Sequence, residues 1–240
     1  GRNGYGVQAL LGSGRKNNYY QELPGSKYRY SNFGAGLMGT LMEQITGQNV
    51  NDTMTALVFA PLQMDAAYHA SLIADRDSIA STYDTDRTLT AAAQKKIDSP
   101  WDASVNPDSH YRITVGSLWM TGRDLCRLGM ALCDGGTVDG VRLLQPETVA
   151  EMLSDQSGKG GITASSPYGL CVNRNNTLVP GKMLYGHQGM SDGIAANVYF
   201  DPETRFVFTF ISNGCNNNMD NRVCAVSRRL LTLMWEAYGE

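Results

Sequence analysis

The stretch IAANVYFDPETRFVFTFIS, Ile194 to Ser212, decides the architecture of the chain. Two short runs rich in Val, Tyr, Phe and Ile flank the polar, proline-containing turn Asp201 to Arg205, which is a hairpin signal. The segment that follows, about Asp220 to Tyr238, repeats apolar residues at helical spacing: Val223, Val226, Leu230, Leu231, Leu233, Met234 and Trp235. That helix carries enough apolar surface to lie across the sheet to which the hairpin belongs. The glycines at 186, 189 and 193, in GHQGMSDG just before the hairpin, suggest a strand to which something approaches closely.

Upstream the pattern is helical. Leu37, Met38, Leu41, Met42 and Ile45 predict a helix from about Gly34 to Thr46, ended by Gly47. A second short helix is expected from Asn51 or Asp52 as N-cap to about Phe59. Thr121-Gly122-Arg123-Asp124 resembles a capping box with aspartate in the glutamate position, and Pro146 suits the first position of a helix through about Leu153. DSPWDASVNPDSH, residues 98–110, reads as a loop placed to line a cleft. Helices come first, then a sheet with a covering helix, which makes the expected fold class α/β in the α+β sense. The expected division is a mainly helical part over residues 13–165 and a sheet part over 166–240, within one unit spanning 1–240.

Composition narrows the function. The chain has 240 residues, 42% of them hydrophobic, enough to bury a core. Its 20 basic and 23 acidic residues give a net charge of -3, with no Lys/Arg block to follow a phosphate backbone, so nucleic acid is not expected as a partner. No apolar run reaches the roughly 18 to 20 residues of a membrane span. Five cysteines show neither a metal-ligand spacing nor a disulfide framework, so neither metal nor cofactor is expected. Cys126 and Cys133 read as small hydrophobes facing the core.

Tyr30-Ser31-Asn32 before a helix, Pro61-Leu62-Gln63-Met64, GSLWMTGRDLCRLGMALCDGG, RLLQPETVAEML and GHQGMSDG entering a hairpin occur here in one order. In that order they resemble the serine β-lactamase and penicillin-recognising enzymes, in the branch of class C β-lactamases, D-Ala-D-Ala carboxypeptidases and related esterases. The resemblance runs from about Gly6 to the end and implies a β-lactamase/transpeptidase-like fold. It also implies an acyl-enzyme mechanism on a β-lactam, D-amino-acid peptide or ester. The family uses three motifs: S-x-x-K, Y-x-N, and K-T-G or H-x-G on a strand edging the cleft. Tyr30 and Asn32 match the second, implying a proton relay and a holder of the substrate amide. His187-Gln188-Gly189 matches the third, which implies that His187 binds or polarises substrate and that the Met190 N–H donates to an oxyanion. Periplasmic or extracellular work is suggested by the resemblance alone. Taken singly, Tyr30 would be a packing residue, Asn32 a helix cap and Asp124 a cap, while His69 and His110 read as surface or loop residues.

The S-x-x-K motif is the difficulty. In the family it lies well upstream of Y-x-N, and only 29 residues precede Tyr30. Ser13-Gly14-Arg15-Lys16 spells the motif, but Gly12 and Gly14 flank the serine, and each glycine inside a helix costs about 1 kcal/mol relative to alanine. Leu10-Leu11-Gly12-Ser13-Gly14 better resembles a shortened form of the family's Leu-Leu-Thr-His-Thr-Ser-Gly loop. Ser13 and Lys16 are therefore read as a decoy and kept as an alternative nucleophile pair. A tyrosine at its ordinary pKa of about 10 is ionised in about one molecule per thousand at pH 7 and needs a nearby cation to act as a base. With no such lysine, the expectation is that the isolated chain does not hydrolyse, and that it is a hydrolase lacking its nucleophile segment or a non-catalytic module binding cell-wall peptides or a protein. The resemblance also places N-terminal strands in the same sheet; their lack would leave an edge for a second copy or an N-terminal segment to complete.

Overall fold

The computed structural model describes residues 7–12, 19, 21–23, 28–84, 86–157, 167–191, 193–214, 218–220 and 223–239. Ser13 and Lys16 lie outside these residues. Helix α1 is Val7–Leu11 and α2 is Asn32–Thr46; α3, Val50–Met54, continues into a π-helical turn, Thr55–Phe59. Next come α4 (Ala91–Asp98), α5 (Pro107–His110), α6 (Ile113–Gly116), α7 (Gly122–Cys133) and α8 (Pro146–Leu153), with the short strands β1 (Thr137–Val138) and β2 (Val141–Arg142) between the last two. The main sheet consists of β3 (Asn173–Asn175), β4 (Leu184–Ser191), β5 (Ile194–Asp201) and β6 (Phe206–Ser212), antiparallel in the order β3-β4-β5-β6. β7 (Met219–Asp220) and β8 (Val223–Cys224) pair tightly before α9 (Ala225–Tyr238).

The register explains why this sheet is covered on both faces. Directly opposed residues share a face, so the pairs Val198↔Thr209 and Phe200↔Val207 define one side, and Tyr199↔Phe208 and Asn197↔Phe210 the other. Helix α7 lies on the first side. A Cβ on its Gly129 would press into the side chains of Val198 and Val207, and Thr209 Oγ1 donates to the Gly122 carbonyl at 3.2 Å. Helix α9 lies on the second, where Leu231 and Val223 join Tyr199, Phe206 and Phe208 in a buried cluster and Asn197 Nδ2 donates to Ser227 Oγ. A second cluster, including Phe59, Leu62 and Met64, packs on Ala131 of α7 and Val138.

Local signals place most helix ends. Thr121 Oγ1 accepts the Asp124 N–H at 3.1 Å and donates to Asp124 Oδ2 at 2.8 Å; the short aspartate meets the hydroxyl rather than the backbone. Pro146 opens α8, and Gly47 closes α2 with φ 67°. Three expectations are corrected. Helix α2 starts at Asn32 itself, capped by Ser31, whose Oγ accepts the Gly34 N–H at 3.0 Å. Helix α3 is capped by Asn49, because Asn51 Oδ1 is taken by the Tyr68 N–H at 2.9 Å. Met219–Asp220 and Val223–Cys224 form the β7–β8 pair, so the last helix starts at Ala225 rather than near Asp220.

His110 is also corrected. It is buried at 3% exposure, its Nδ1 lies 2.6 Å from Glu43 Oε1, and Trp101 stacks on its ring at 5.0 Å. His69 caps the 3-10 turn Ala70–Leu72 by accepting the Ser71 N–H. Residues 98–110 do not line the cavity at the edge of β4. They pack on α2 and α3, with the Asn106 N–H donated to Glu43 Oε2 and the Ala103 carbonyl accepting from Asn49 Nδ2.

Candidate active site

The site begins where β3 ends. Strand β3 covers β4 only from Leu184 to Gly186, so from His187 onward β4 is paired with a strand on its β5 side alone among the described residues. His187 pairs with Val198 and therefore belongs to the α7 face, whereas Gln188 pairs with Asn197 and belongs to the α9 face. Both border one cavity of about 270 Å³, which two residues on opposite faces can do only at a strand edge. Tyr199 and Val223 close it on the α9 side.

The opposite wall comes from the segment leading into α2. Tyr28 and Tyr30, two residues apart, present their rings to the cavity just before the Ser31 cap turns the chain into the helix. Tyr30 and His187 lie 6.2 Å apart between ring centroids, inclined by 28°. Tyr168 stands edge-on to both, at 6.3 Å and 69° from Tyr30 and at 6.2 Å and 80° from His187. Tyr28 in turn stacks on Tyr168 at 4.9 Å. Three rings from three distant parts of the chain thus meet at nearly equal spacing.

Burial sets the electrostatics. It lowers the His187 pKa below the ordinary imidazole value, opposed by a hydrogen bond with the Gln188 backbone, so the ring is neutral at pH 7. It raises the Tyr199 phenol to about 12 and pushes the Tyr168 phenol up further, with the neighbouring Tyr28 and Tyr30 adding to that shift. The wall therefore offers a neutral imidazole and phenol hydroxyls, suited to hydrogen bonding and proton relay. Among the described residues no group of three or more His, Cys, Asp and Glu is placed to hold a metal ion, and no helix is long and apolar enough to cross a membrane.

Of the residues singled out in the sequence, the structure brings Tyr30 and His187 together. Asn32 is exposed in the first turn of α2 and is not part of the wall. Gly189 and Met190 lie further along the same strand edge, outside the cavity lining. The glycines divide by role. A Cβ on Gly186 would overlap the Val198 carbonyl and one on Gly193 the Tyr83 carbonyl, so both serve chain packing, while at Gly189 there is open space. Tyr28, Tyr168, Tyr199, Asn173 and Asn175 are wall residues that sequence reasoning missed. For Tyr28 a signal existed: in an extended segment, residues two apart face the same way, and Tyr30 was already singled out.

A family model described as Beta-lactamase matches residues 10–233. The chain belongs to the Beta-lactamase family. It is similar to an uncharacterized protein of Mycobacterium tuberculosis, 30% identical over 134 residues, or 55% of this chain and 32% of that protein. Among solved structures it is similar to the octameric penicillin-binding protein homologue from Pyrococcus abyssi, with TM-score 0.70, 15% identity and coverage of 99% of this chain and 48% of that one. It is also similar to D-amino acid amidase from Ochrobactrum anthropi SV3, with TM-score 0.66, 21% identity and coverage of 91% and 59%. A class C beta-lactamase aligns with TM-score 0.62, 16% identity and coverage of 90% and 60%. These identities establish the fold alone. The chain spans about a third of the Mycobacterium tuberculosis relative's length and about half to three-fifths of these structures.

Proposed function

We infer that this chain carries the relay and substrate-binding side of a serine acyl-transfer site that hydrolyses an amide, ester or lactam through an acyl-enzyme. The observation that carries the reading is the approach of Tyr30 to His187 across one cavity, 6.2 Å between ring centroids. In this reading Tyr30 passes the proton between nucleophile and leaving group. The neutral His187 polarises or orients the substrate, Asn32 holds its amide, and the edge strand supplies the Met190 N–H to the oxyanion. One such donor is worth about 3 to 4 kcal/mol in other hydrolases. The nucleophile is a serine with a lysine three residues on. Ser13 and Lys16 are the weaker candidates for that pair because of the glycines around Ser13.

A second reading, a non-catalytic module that recognises cell-wall peptides or a protein, is favoured by the cavity lining, which includes neither serine nor lysine among the described residues. The test uses the protein as its gene encodes it, exposed to a fluorophosphonate or a penicillin and weighed. The hydrolase reading expects one covalent adduct, mapped by peptide mass to a serine followed three residues on by a lysine, and a Tyr30→Phe variant slowed about 10²–10⁴-fold. No adduct, with penicillin still bound reversibly, establishes the binding module instead. An adduct at Ser13 that disappears in Ser13→Ala overturns the decoy reading of that serine.

A further inference from the structure

The cavity at the β4 edge has walls of an unusual kind for a polar reaction centre. Its ring-bearing residues are Tyr28, Tyr30, Tyr168, Tyr199 and His187, and its remaining polar side chains are the amides of Asn173, Asn175 and Gln188. Two of these amides hold the frame. Asn175 Oδ1 accepts from the Thr177 N–H and hydroxyl, both at 2.9 Å, and Gln188 Oε1 accepts the Cys224 N–H at 3.3 Å. What the wall offers a guest is therefore largely ring surface, and Tyr30 remains 57% exposed.

Charge narrows the guest. No Lys, Arg, Asp or Glu is among the described lining residues, and burial keeps His187 neutral near pH 7. A carboxylate would be desolvated there without a cation, and an ammonium without a carboxylate. An aromatic cage for a cation needs ring faces turned inward, whereas one Tyr168 face is covered by Tyr28, stacked at 4.9 Å and 24°. Tyr168 stands edge-on to Tyr30 and His187, the arrangement in which ring quadrupoles attract, and a further ring can join it by offset or edge contact. Size agrees. The cavity measures about 270 Å³, whereas a cavity of about 150 Å³ suffices to bind benzene. One ring and a short polar linker fit.

We propose that the cavity receives an uncharged aromatic group of the substrate, a benzyl or phenyl beside the scissile carbonyl, with Tyr168 as the specificity-determining residue. This rests on the reading that Tyr30 and His187 form the substrate site. The experiment is calorimetry on the chain with three neutral-backbone probes: the N-acetyl amides of D-phenylalanine, D-cyclohexylalanine and D-lysine. The phenyl probe binds about two- to tenfold tighter than the cyclohexyl probe, which matches it in apolar area but has no ring quadrupole, and the lysine probe binds weakest. Tyr168→Leu removes the phenyl preference and Tyr168→Phe keeps it; if Tyr168→Leu does not fold, the three-probe comparison still decides. Equal binding of phenyl and cyclohexyl probes, tighter binding of the lysine probe, or an unchanged preference in folded Tyr168→Leu overturns the proposal. Acylation of the full protein without ring preference defeats this inference alone, and ring preference without acylation defeats the hydrolase reading alone.

Discussion

Replacing Glu43 with alanine tests the packing that holds the helix behind the site. Glu43 sits in the last turn of α2 with 0% exposure, and its carboxylate receives three donors. Oε1 lies 2.6 Å from His110 Nδ1 and 2.9 Å from the Val50 N–H, and Oε2 lies 3.1 Å from the Asn106 N–H. One side chain therefore ties α2 to the start of α3 and to the loop entering α5. Removing one partner of a buried pair costs about 3–5 kcal/mol. Leaving three buried donors at about 1–3 kcal/mol each gives a range that contains this value, with relaxation and entering water holding the loss toward the lower part. A loss of about 3–5 kcal/mol in a chain of this size lowers Tm by about 6–20 °C. Urea and thermal denaturation of Glu43→Ala measure it, and Glu43→Gln, which keeps the shape but turns an amide N–H toward a donor, falls between wild type and alanine. In the double-mutant cycle with His110→Ala, the coupling exceeds about 1 kcal/mol. A loss below about 1 kcal/mol, or additivity of the two substitutions, would mean that Glu43 does not tie α2 to α3 and α5.

Two further outcomes follow from burial. Because the folded His187 pKa is below the ordinary imidazole value, the unfolded chain binds the proton more readily; stability contributed by the neutral ring is full above pH of about 6.5 and is lost as pH falls toward the lower folded value. NMR titration of the His187 ring gives a midpoint below 6.5, and His187→Phe removes that part of the acid loss in a pH series of denaturation curves. Among the described cysteines Cys171 is exposed, whereas Cys133 is buried with its thiol pushed up to about 11 by burial and the nearby Asp134 and Asp201. Iodoacetamide at pH 8 modifies Cys171 in the native protein, while Cys133 reacts at a comparable rate only after denaturation, as peptide mass mapping reads out.

What the sequence could and could not disclose follows from the range of each interaction. The β5–β6 hairpin and α7 are legible because their signals are local: alternation around Asp201–Arg205 in one case, a Thr121 cap and an apolar stripe in the other. The pair Tyr30 and His187 is legible through the order of motifs. Tyr168 and Tyr199 are not, because each becomes a wall residue only when β3 stops short and exposes the β4 edge, a property of sheet register rather than of any short stretch. His110 misleads for the same reason. Its stretch of sequence is polar, and the carboxylate that makes its burial tolerable is 67 residues away in sequence. Gly186 and Gly193 show the converse error, local signals of close approach whose partners are the chain's own carbonyls.

The most direct test of the central claim, that Tyr30 and His187 face one ligand, is an NMR titration of the chain with benzylpenicillin, following the ring resonances of Tyr30 and of the three histidines. Tyr30 and His187 shift together with a single Kd while His69 and His110 stay in place. Movement of one ring without the other, or two rings reporting different Kd values, would contradict it.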